Sequence, residues 1–127
     1  MDYEYYMDLA LELAKTGVKA CEQPYGAVLI ANGNIVAKAY NKVRSSKNSL
    51  NHAEIIVLDE YKRLNMNDVK DLTLVTTCEP CENCFNTAIN MGVNKFVFGS
   101  SIEEAIKYNT GDKLLKIKQF ENKYNIS

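Results

Sequence analysis

The chain has 127 residues, of which 46% are hydrophobic and 24% charged, and its formal net charge at pH 7 is −1. This length suits a single domain over residues 1–127, and the composition excludes a largely disordered chain. No basic N-terminal segment precedes a long apolar run, so we predict no signal peptide, no membrane span and a cytoplasmic location.

The first third of the chain predicts a helix followed by a β-hairpin. Apolar residues after Asp2 recur with a period near 3.6, and we expect this helix to end at Gly17. Two apolar runs, Tyr25–Ala31 and Asn34–Asn41, are joined by Asn32-Gly33. That dipeptide favours a type I′ turn, so the two runs are predicted to be antiparallel strands.

The middle of the chain predicts alternating helices and strands after a polar loop over 42–51. In order, these are a helix that opens at His52, a buried strand, a second helix and a second strand. Their predicted ranges are 52–61, Leu72–Thr77, Cys81–Met91 and Lys95–Gly99. Because both helices follow a loop or a strand end, we expect their N-termini to meet at one edge of a sheet, where open α/β folds bind ligands.

The C-terminal region is compatible with two structures. Ile102–Tyr108 is predicted to be helical, and 112–124 fits a further helix. Apolar residues also alternate with lysines around Leu114–Phe120, which indicates a strand. Of the two, we favour the strand.

His52, Cys81 and Cys84 form a pattern typical of a zinc site. Zinc takes imidazole nitrogen and thiolate sulfur in a tetrahedral shell, and a catalytic site leaves its fourth position to water. Pro80 suits the first position of a helix, which would place both cysteines in the first turn on one face. The helix dipole there is expected to lower the thiol pKa. We therefore predict one Zn²⁺ per chain on these three residues.

Glu54 follows His52 by two residues, so the two side chains point in different directions around the helix. His52 can then bind the metal while Glu54 reaches a bound water as a general base. The alternative is a helix cap, in which Glu54 folds back on an N-cap at Asn51. Beside a metal-binding histidine and a P-C-x-x-C motif, we favour the catalytic role.

Other interpretations of the cysteines remain open. A C-x-x-C pair can be a redox dithiol, but this leaves Glu54 without a role. Cys78 extends the run to C-x₂-C-x₂-C, and Cys21 could supply the fourth ligand of an iron–sulfur cluster. A structural zinc module is a related possibility.

Four motifs in order resemble the cytidine deaminase-like superfamily, and within it the branch of guanine, cytosine and tRNA adenosine deaminases. The resemblance runs from about residue 24 to residue 99. The motifs are Pro24-Tyr25-Gly26-Ala27-Val28, Asn41 at a strand end, His52-Ala53-Glu54, and Thr77-Cys78-Glu79-Pro80-Cys81-Glu82-Asn83-Cys84. Asn83 departs from the methionine common between the two cysteines.

The resemblance implies an α/β fold, a three-layer α/β/α sandwich with a central mixed sheet of about five strands. It implies a catalytic zinc on the histidine and the last two cysteines, with Glu54 as the proton shuttle of a hydrolytic deamination that releases ammonia. We expect Asn41 and Ala53 to contact the substrate. Similar enzymes are homodimers or larger assemblies.

The sequence favours a nucleobase or nucleoside of the guanine or cytosine type as substrate, with tRNA adenosine as the alternative. Tyr25 and the Cys78-Glu79-Pro80 stretch look like bacterial guanine deaminases. Thirteen lysines, two arginines and a net charge of −1 offer few phosphate clamps for RNA. Three basic residues precede His52 and could hold a phosphate, although a solvated loop is the favoured interpretation: Lys42, Arg44 and Lys47.

Overall fold

The computed structural model describes residues 2–100 and 118–119, with four helices and five strands in that part of the chain. The helices are α1 (Tyr3–Lys19), α2 (Val43–Ser46), α3 (Ala53–Leu64) and α4 (Glu82–Asn90). The strands are β1 (Gly26–Ala31), β2 (Asn34–Tyr40), β3 (Leu72–Cys78), β4 (Lys95–Ser100) and β5 (Lys118–Gln119).

The five strands form one mixed sheet in the order β2-β1-β3-β4-β5. β1 is antiparallel to both of its neighbours, β3 and β4 are parallel, and β5 is antiparallel to β4. The parallel pair is connected through α4, as a parallel connection requires a crossover. The predicted mixed sheet of about five strands is confirmed.

Helices cover both faces of the sheet, which confirms the three-layer α/β/α sandwich. β1 is buried along its whole length, as expected for a central apolar strand with both faces covered. On one face, Met7 and Ala10 of α1 pack against Val28 and Val75. On the other face, residues of α3 and α4 pack against the opposite side chains of the same strands; they include Ala53, Val57, Leu58 and Ala88 with Leu29, Leu74 and Phe96.

The predicted hairpin is confirmed, including its turn. Asn32 and Gly33 have φ angles of 49° and 85°, the positive values that a type I′ turn requires at both positions. Asp2 caps α1, since its carboxylate accepts the N–H of Tyr5 at 3.1 Å. The prediction that Gly17 ends this helix is wrong, because α1 continues to Lys19. Gly17 is instead buried where a Cβ would lie only 3.0 Å from the Tyr40 ring.

Both later helices begin one residue further along than predicted. His52, and not Asn51, is the N-cap of α3, and Cys81 is the N-cap of α4. Pro80 therefore precedes the cap and does not occupy the first helical position. Each N-cap has the extended backbone typical of a cap, and its carbonyl accepts the first intrahelical bond, from Ile56 or Phe85.

The sheet has two ends with different loops. At the first, here called the cysteine end, β1 begins and β2 and β3 terminate, at Gly26, Tyr40 and Cys78. At the opposite, asparagine end, the hairpin turn with Asn32 lies near Asn94, which precedes β4. The N-termini of α3 and α4 lie at the cysteine end, as predicted.

Most of the C-terminal predictions fall outside the described residues, including the helix over 102–108. The favoured strand is confirmed for Lys118–Gln119, which pair with Phe98 and Val97 of β4. Among the described helices, none combines the length and apolar character needed to cross a membrane.

Candidate metal centre

The cysteine end brings together three side chains that can bind a metal. The ligand atoms of His52, Cys81 and Cys84 all lie within 4.8 Å of one another. The two Sγ atoms are 3.4 Å apart, and the Cys84 Sγ lies 3.7 Å from the His52 Nδ1. Two caps and one first-turn residue supply this group: His52 and Cys81 begin α3 and α4, and Cys84 is the third residue of α4.

These separations fit one tetrahedral zinc ion. With Zn–S near 2.3 Å and Zn–N near 2.0 Å, tetrahedral geometry places two sulfurs roughly 3.8 Å apart and a sulfur and a nitrogen roughly 3.5 Å apart. The observed 3.4 and 3.7 Å differ from these values by a few tenths of an ångström. Two thiolates and a neutral imidazole also balance the charge of Zn²⁺. The donor set therefore suits zinc with three protein ligands.

The thiol electrostatics differ from the expectation based on the helix dipole. Burial raises the pKa of the Cys84 thiol far above its usual range, and the nearby Glu54 carboxylate and Cys81 thiol raise it further. Cys84 is only 2% exposed, so the loss of hydration outweighs the helix N-terminus. A bound cation stabilises the thiolate, and metal binding here is consequently coupled to proton release.

Glu54 lies beside this group as a buried carboxylate. It is 8% exposed, and burial raises its pKa, while its own backbone N–H, the His52 ring and Cys84 oppose the rise. The backbone N–H of Asn51 donates to Asn48 at 3.0 Å, so Glu54 and Asn51 do not form the alternative capping arrangement. Glu54 instead faces a cavity.

A cavity of about 440 Å³ opens at the cysteine end. Two of its lining residues, His52 and Cys81, belong to the metal-binding group. The other lining residues are Gln23, Tyr25, Asn41, Val43, Ser49, Glu54, Thr77, Cys78 and Glu79. This volume falls in the range of small-molecule pockets.

The two predicted substrate-binding residues occupy different environments. Asn41 follows β2, is 3% exposed and lines the cavity. Its Oδ1 accepts the N–H of Val43 at 2.9 Å, which leaves the amide N–H₂ as the group it can offer to a substrate. Ala53 is fully buried in the core between α3 and the sheet and is not among the residues that line this cavity.

A second cavity, of about 500 Å³, also borders the metal-binding group. It shares Ser49, His52 and Cys81 with the first. The remaining lining residues come from α3, α4 and the loop before α3: Leu50, Ile55, Asn83, Cys84, Asn86, Thr87 and Asn90.

Glu22 is a residue of this region that the sequence did not single out. Its carboxylate accepts the N–H groups of Arg44 and Ser45, at 2.9 and 2.8 Å, and is 5% exposed. The hydrogen bonds from Ser45 and Arg44 hold its pKa below the usual range. The partners are more than twenty positions apart, so no local pattern signals the contact.

The alternative cysteine ligand sets are not assembled in the described residues. There, the group of three or more clustered metal-binding side chains consists of His52, Cys81 and Cys84. Cys78 ends β3 and lines the first cavity, while Cys21 is exposed in the loop after α1. This arrangement does not support an iron–sulfur cluster on Cys78 and Cys21.

The basic loop between β2 and α3 is exposed beside the first cavity. Lys42, Arg44 and Lys47 are all solvent-exposed. The Lys42 Nζ lies 5.3 Å from the centroid of the Tyr40 ring, and the Arg44 guanidinium donates to the Cys21 carbonyl at 3.4 Å. Tyr25 is half-buried and lines the cavity.

Comparison with known proteins identifies this arrangement. Residues 1–100 match the model of the cytidine and deoxycytidylate deaminase zinc-binding region. A tRNA-specific adenosine deaminase of Bacillus subtilis is 40% identical over 98 residues, which are 76% of this chain and 61% of that protein. The chain thus spans about three-fifths of this relative's length.

Two solved structures have the same fold. One comes from a study of A-to-I editing by tRNA:A34 deaminases at the wobble position of transfer RNA; it is 27% identical, with a TM-score of 0.74 over 82% of this chain and 81% of that one. The other is guanine deaminase from Bacillus subtilis, 29% identical, with a TM-score of 0.77 over 85% of this chain and 70% of that one. The chain therefore belongs to the family defined by the cytidine and deoxycytidylate deaminase zinc-binding region.

Proposed function

We propose that the chain is a zinc-dependent hydrolytic deaminase that converts adenosine to inosine in a tRNA. The observation that carries the proposal is one cavity that joins the metal-binding group to a buried carboxylate, with His52, Cys81 and Glu54 all in its lining. The reaction replaces the exocyclic amine of the base with a carbonyl oxygen from water and releases ammonia.

His52, Cys81 and Cys84 would hold the zinc. When bound, zinc acts as a Lewis acid that lowers the pKa of water from about 15.7 to roughly 7. Three protein donors leave one position of a tetrahedral shell for a non-protein ligand, as catalytic zinc sites require.

Glu54 is proposed to move protons between water and the base. It lines the cavity, and burial raises its pKa above the ordinary value. A positioned carboxyl group is a common general acid and base in enzymes. It would take a proton from the attacking water and deliver it to a ring nitrogen. It would then assist the departure of ammonia.

Asn41 is proposed to orient the base. Its carbonyl oxygen is held by the Val43 N–H, so its N–H₂ group would donate to an acceptor on the substrate. Ala53 remains a proposed contact through its backbone, because its side chain is enclosed in the core.

Two observations support tRNA over the small-molecule substrate that composition favoured. The Bacillus subtilis relative at 40% identity is a tRNA-specific adenosine deaminase. Around the cavity, Lys42, Arg44 and Lys47 are exposed together, and the local field at a binding site matters more for an RNA partner than the net charge of the chain.

Guanine deamination is the second candidate. The fold is as similar to that of the Bacillus subtilis guanine deaminase as to that of the tRNA deaminase, with TM-scores of 0.77 and 0.74. Tyr25 in the cavity lining would offer a ring on which a free base can stack.

A substrate panel separates the two candidates. The zinc-loaded protein is incubated with a tRNA anticodon stem-loop carrying a wobble adenosine, and separately with guanine, cytosine, adenine and their nucleosides. Inosine in the RNA and free ammonia are measured at about 50 and 200 mM salt. We expect inosine in the stem-loop, with activity that falls at the higher salt. Activity on free guanine alone would reject the tRNA proposal in favour of the second candidate.

We also propose that the protein is a cytoplasmic homodimer. The support is the family resemblance, in which similar enzymes form dimers or larger assemblies. Light scattering on the purified zinc-loaded protein should give twice the 14.3 kDa chain mass, and cell fractionation should recover the protein with soluble enzymes. A mass of one chain at micromolar concentration would contradict the dimer.

A further inference from the structure

A buried carboxylate outside the metal centre binds the backbone of the cavity wall. Glu22 lies in the loop between α1 and β1, and its two carboxylate oxygens accept one N–H each, from Arg44 and from Ser45. Both donors belong to the short helix α2, whose own N-cap, Lys42, makes no side-chain capping bond. The cap of α2 is therefore supplied from a distant part of the chain.

Asn41 supplies the adjoining bond in the same arrangement. Its Oδ1 accepts the Val43 N–H at 2.9 Å, so three successive N–H groups at the start of α2 are bound by two side chains, Asn41 and Glu22. The backbone N–H of Asn41 donates to the Tyr25 carbonyl at 3.0 Å. Residues 22–25 and 41–45 are thereby joined at several points.

The two joined segments form adjoining parts of the cavity wall. Gln23 and Tyr25 line the cavity from the first segment, and Asn41 and Val43 line it from the second. The direction of the Asn41 amide depends on how α2 is held, because the Asn41 Oδ1 accepts the N–H of Val43, the first residue of α2. Glu22, the first residue of the 22–25 segment, bonds to the second segment but is not itself among the lining residues.

We propose that Glu22 is a positioning residue, which fixes α2 and thereby the Asn41 amide against the substrate. Only a carboxylate offers two equivalent acceptors for the two N–H groups, and hydrogen bonds to a charged acceptor are stronger than those to a neutral one. Glutamine at this position would keep the size but replace one acceptor with a donor that faces an N–H. The expected effect of a Glu22 substitution on catalysis rests on the proposed function, whereas its expected effect on the hydrogen bonds of α2 does not.

A suitable control lies at the asparagine end of the sheet. The Asn94 side chain accepts the Leu72 N–H at 3.0 Å and donates to the Lys70 carbonyl at 3.0 Å. Like Glu22, it links backbone segments more than twenty positions away, but it is remote from the cavity. Asn94→Ala therefore reports what the loss of a structural link alone does.

Amide hydrogen exchange tests the positioning without any substrate. The zinc-loaded parent, Glu22→Gln, Glu22→Ala and Asn94→Ala are compared. In both Glu22 variants we expect faster exchange at Arg44 and Ser45, and also at Val43, whose acceptor is Asn41 and not Glu22. Zinc content and exchange in α3 should stay as in the parent, and Asn94→Ala should leave Val43 unchanged. Glu22→Gln keeps the size of the side chain, so it still tests the proposal if Glu22→Ala fails to fold. An exchange rate at Val43 in Glu22→Gln equal to that of the parent would overturn the proposal.

A double-mutant cycle on the substrate found in the panel tests the consequence. Glu22→Gln should lower kcat/KM by roughly 10- to 100-fold, mainly through KM, with zinc retained. In an Asn41→Ala background the same change should cost less than about threefold, because its effect acts through Asn41. Asn94→Ala should leave kcat/KM unchanged. The inference would be overturned if Glu22→Gln lowered kcat/KM equally in the parent and in the Asn41→Ala background, or if it did not lower kcat/KM in the parent. A parent that deaminates nothing would reject the proposed function, and the exchange experiment would then decide the role of Glu22.

Discussion

The two ends of the sheet use polar side chains in different ways. At the asparagine end, the Asn32 Oδ1 accepts the N–H groups of Lys70 and Asp71 at 3.0 and 3.1 Å, and Asn94 makes similar bonds to backbone. These side chains connect loops to the sheet. At the cysteine end, Glu22 and Asn41 also bind backbone N–H groups. In addition, the side chains of the metal-binding group contact one another there, and Glu54 lies beside them.

The difference separates side chains that stabilise the fold from side chains that are suited to catalysis. A side chain that hydrogen-bonds to backbone groups stabilises the fold, because those donors or acceptors would otherwise lose their hydrogen bonds to water on folding without a replacement. A buried carboxylate such as Glu54 and a buried thiol such as Cys84, both with raised pKa, add little stability by themselves. Groups of this kind gathered around a cavity are typical of a functional site.

The largest expected effect is on metal content at the cysteine end. His52→Ala, Cys81→Ala and Cys84→Ala should each lose most of the zinc, from about one ion per chain, and all measurable deamination, because two remaining ligands hold zinc poorly. Metal analysis after gel filtration measures the first effect and ammonia release the second.

Matched cysteine variants provide the control for this prediction. Cys21→Ser and Cys78→Ser should retain zinc, since neither residue belongs to the clustered ligands among the described residues. Loss of zinc in Cys78→Ser would show a fourth protein ligand, and the site would then be a closed structural one.

The next largest effect is expected at Glu54, where a substitution should impair catalysis at the cysteine end without loss of the metal. Glu54→Gln keeps the size of the side chain but removes the base, so turnover should fall by roughly 10²- to 10⁴-fold while zinc stays bound. Steady-state rates and metal content are measured on the same preparation. Full activity in this variant would show that another group transfers the proton.

At the asparagine end, we expect a substitution to lower stability and leave catalysis unchanged. Asn32→Ala removes the acceptor for two backbone N–H groups and places alanine at a φ of 49°. We expect the free energy of unfolding to fall by about 1–3 kcal/mol, with kcat/KM unchanged in the native range. Urea unfolding gives the first value and the deamination assay the second. A variant with parental stability but impaired turnover would remove the distinction between the two ends.

The sequence predicted the elements and the proximity of Cys81 and Cys84 well because both depend on local patterns. The Asn32-Gly33 turn requires positive φ at two adjacent residues, which few other residue types tolerate, and the structure has it. Cys81 and Cys84 are three positions apart at a helix start, so their proximity follows from helix geometry. Joining them to His52 needed the family motif and a sheet edge, and the structure brings the three together.

The sequence failed where the physical cause lies in distant contacts. Gly17 looked like a helix end, but it is small because the Tyr40 ring packs against it. The thiol pKa was predicted from the helix dipole alone, whereas burial of Cys84 dominates. The substrate is a separate matter: net charge favoured a small molecule, and the Bacillus subtilis relative supports the tRNA alternative better.

The smallest expected effect is a pH dependence that belongs to Glu22. Hydrogen bonds from Ser45 and Arg44 lower its pKa in the folded protein below the ordinary value of 4.5, so folding favours the ionised form. The resulting stability is fully present above that ordinary value and is lost as the pH falls through the folded pKa.

The parent should therefore exceed Glu22→Gln in unfolding free energy at pH 7, and the gap between the two should narrow steadily below pH 4.5. Urea unfolding of both proteins across this range measures the gap. Glu12→Gln is the control, since the exposed Glu12 carboxylate forms a surface ion pair with Lys15 at 3.4 Å, and such pairs contribute little. A gap that stays constant down to the acid limit would mean that the Glu22 carboxylate is not selectively ionised by its bonds to α2.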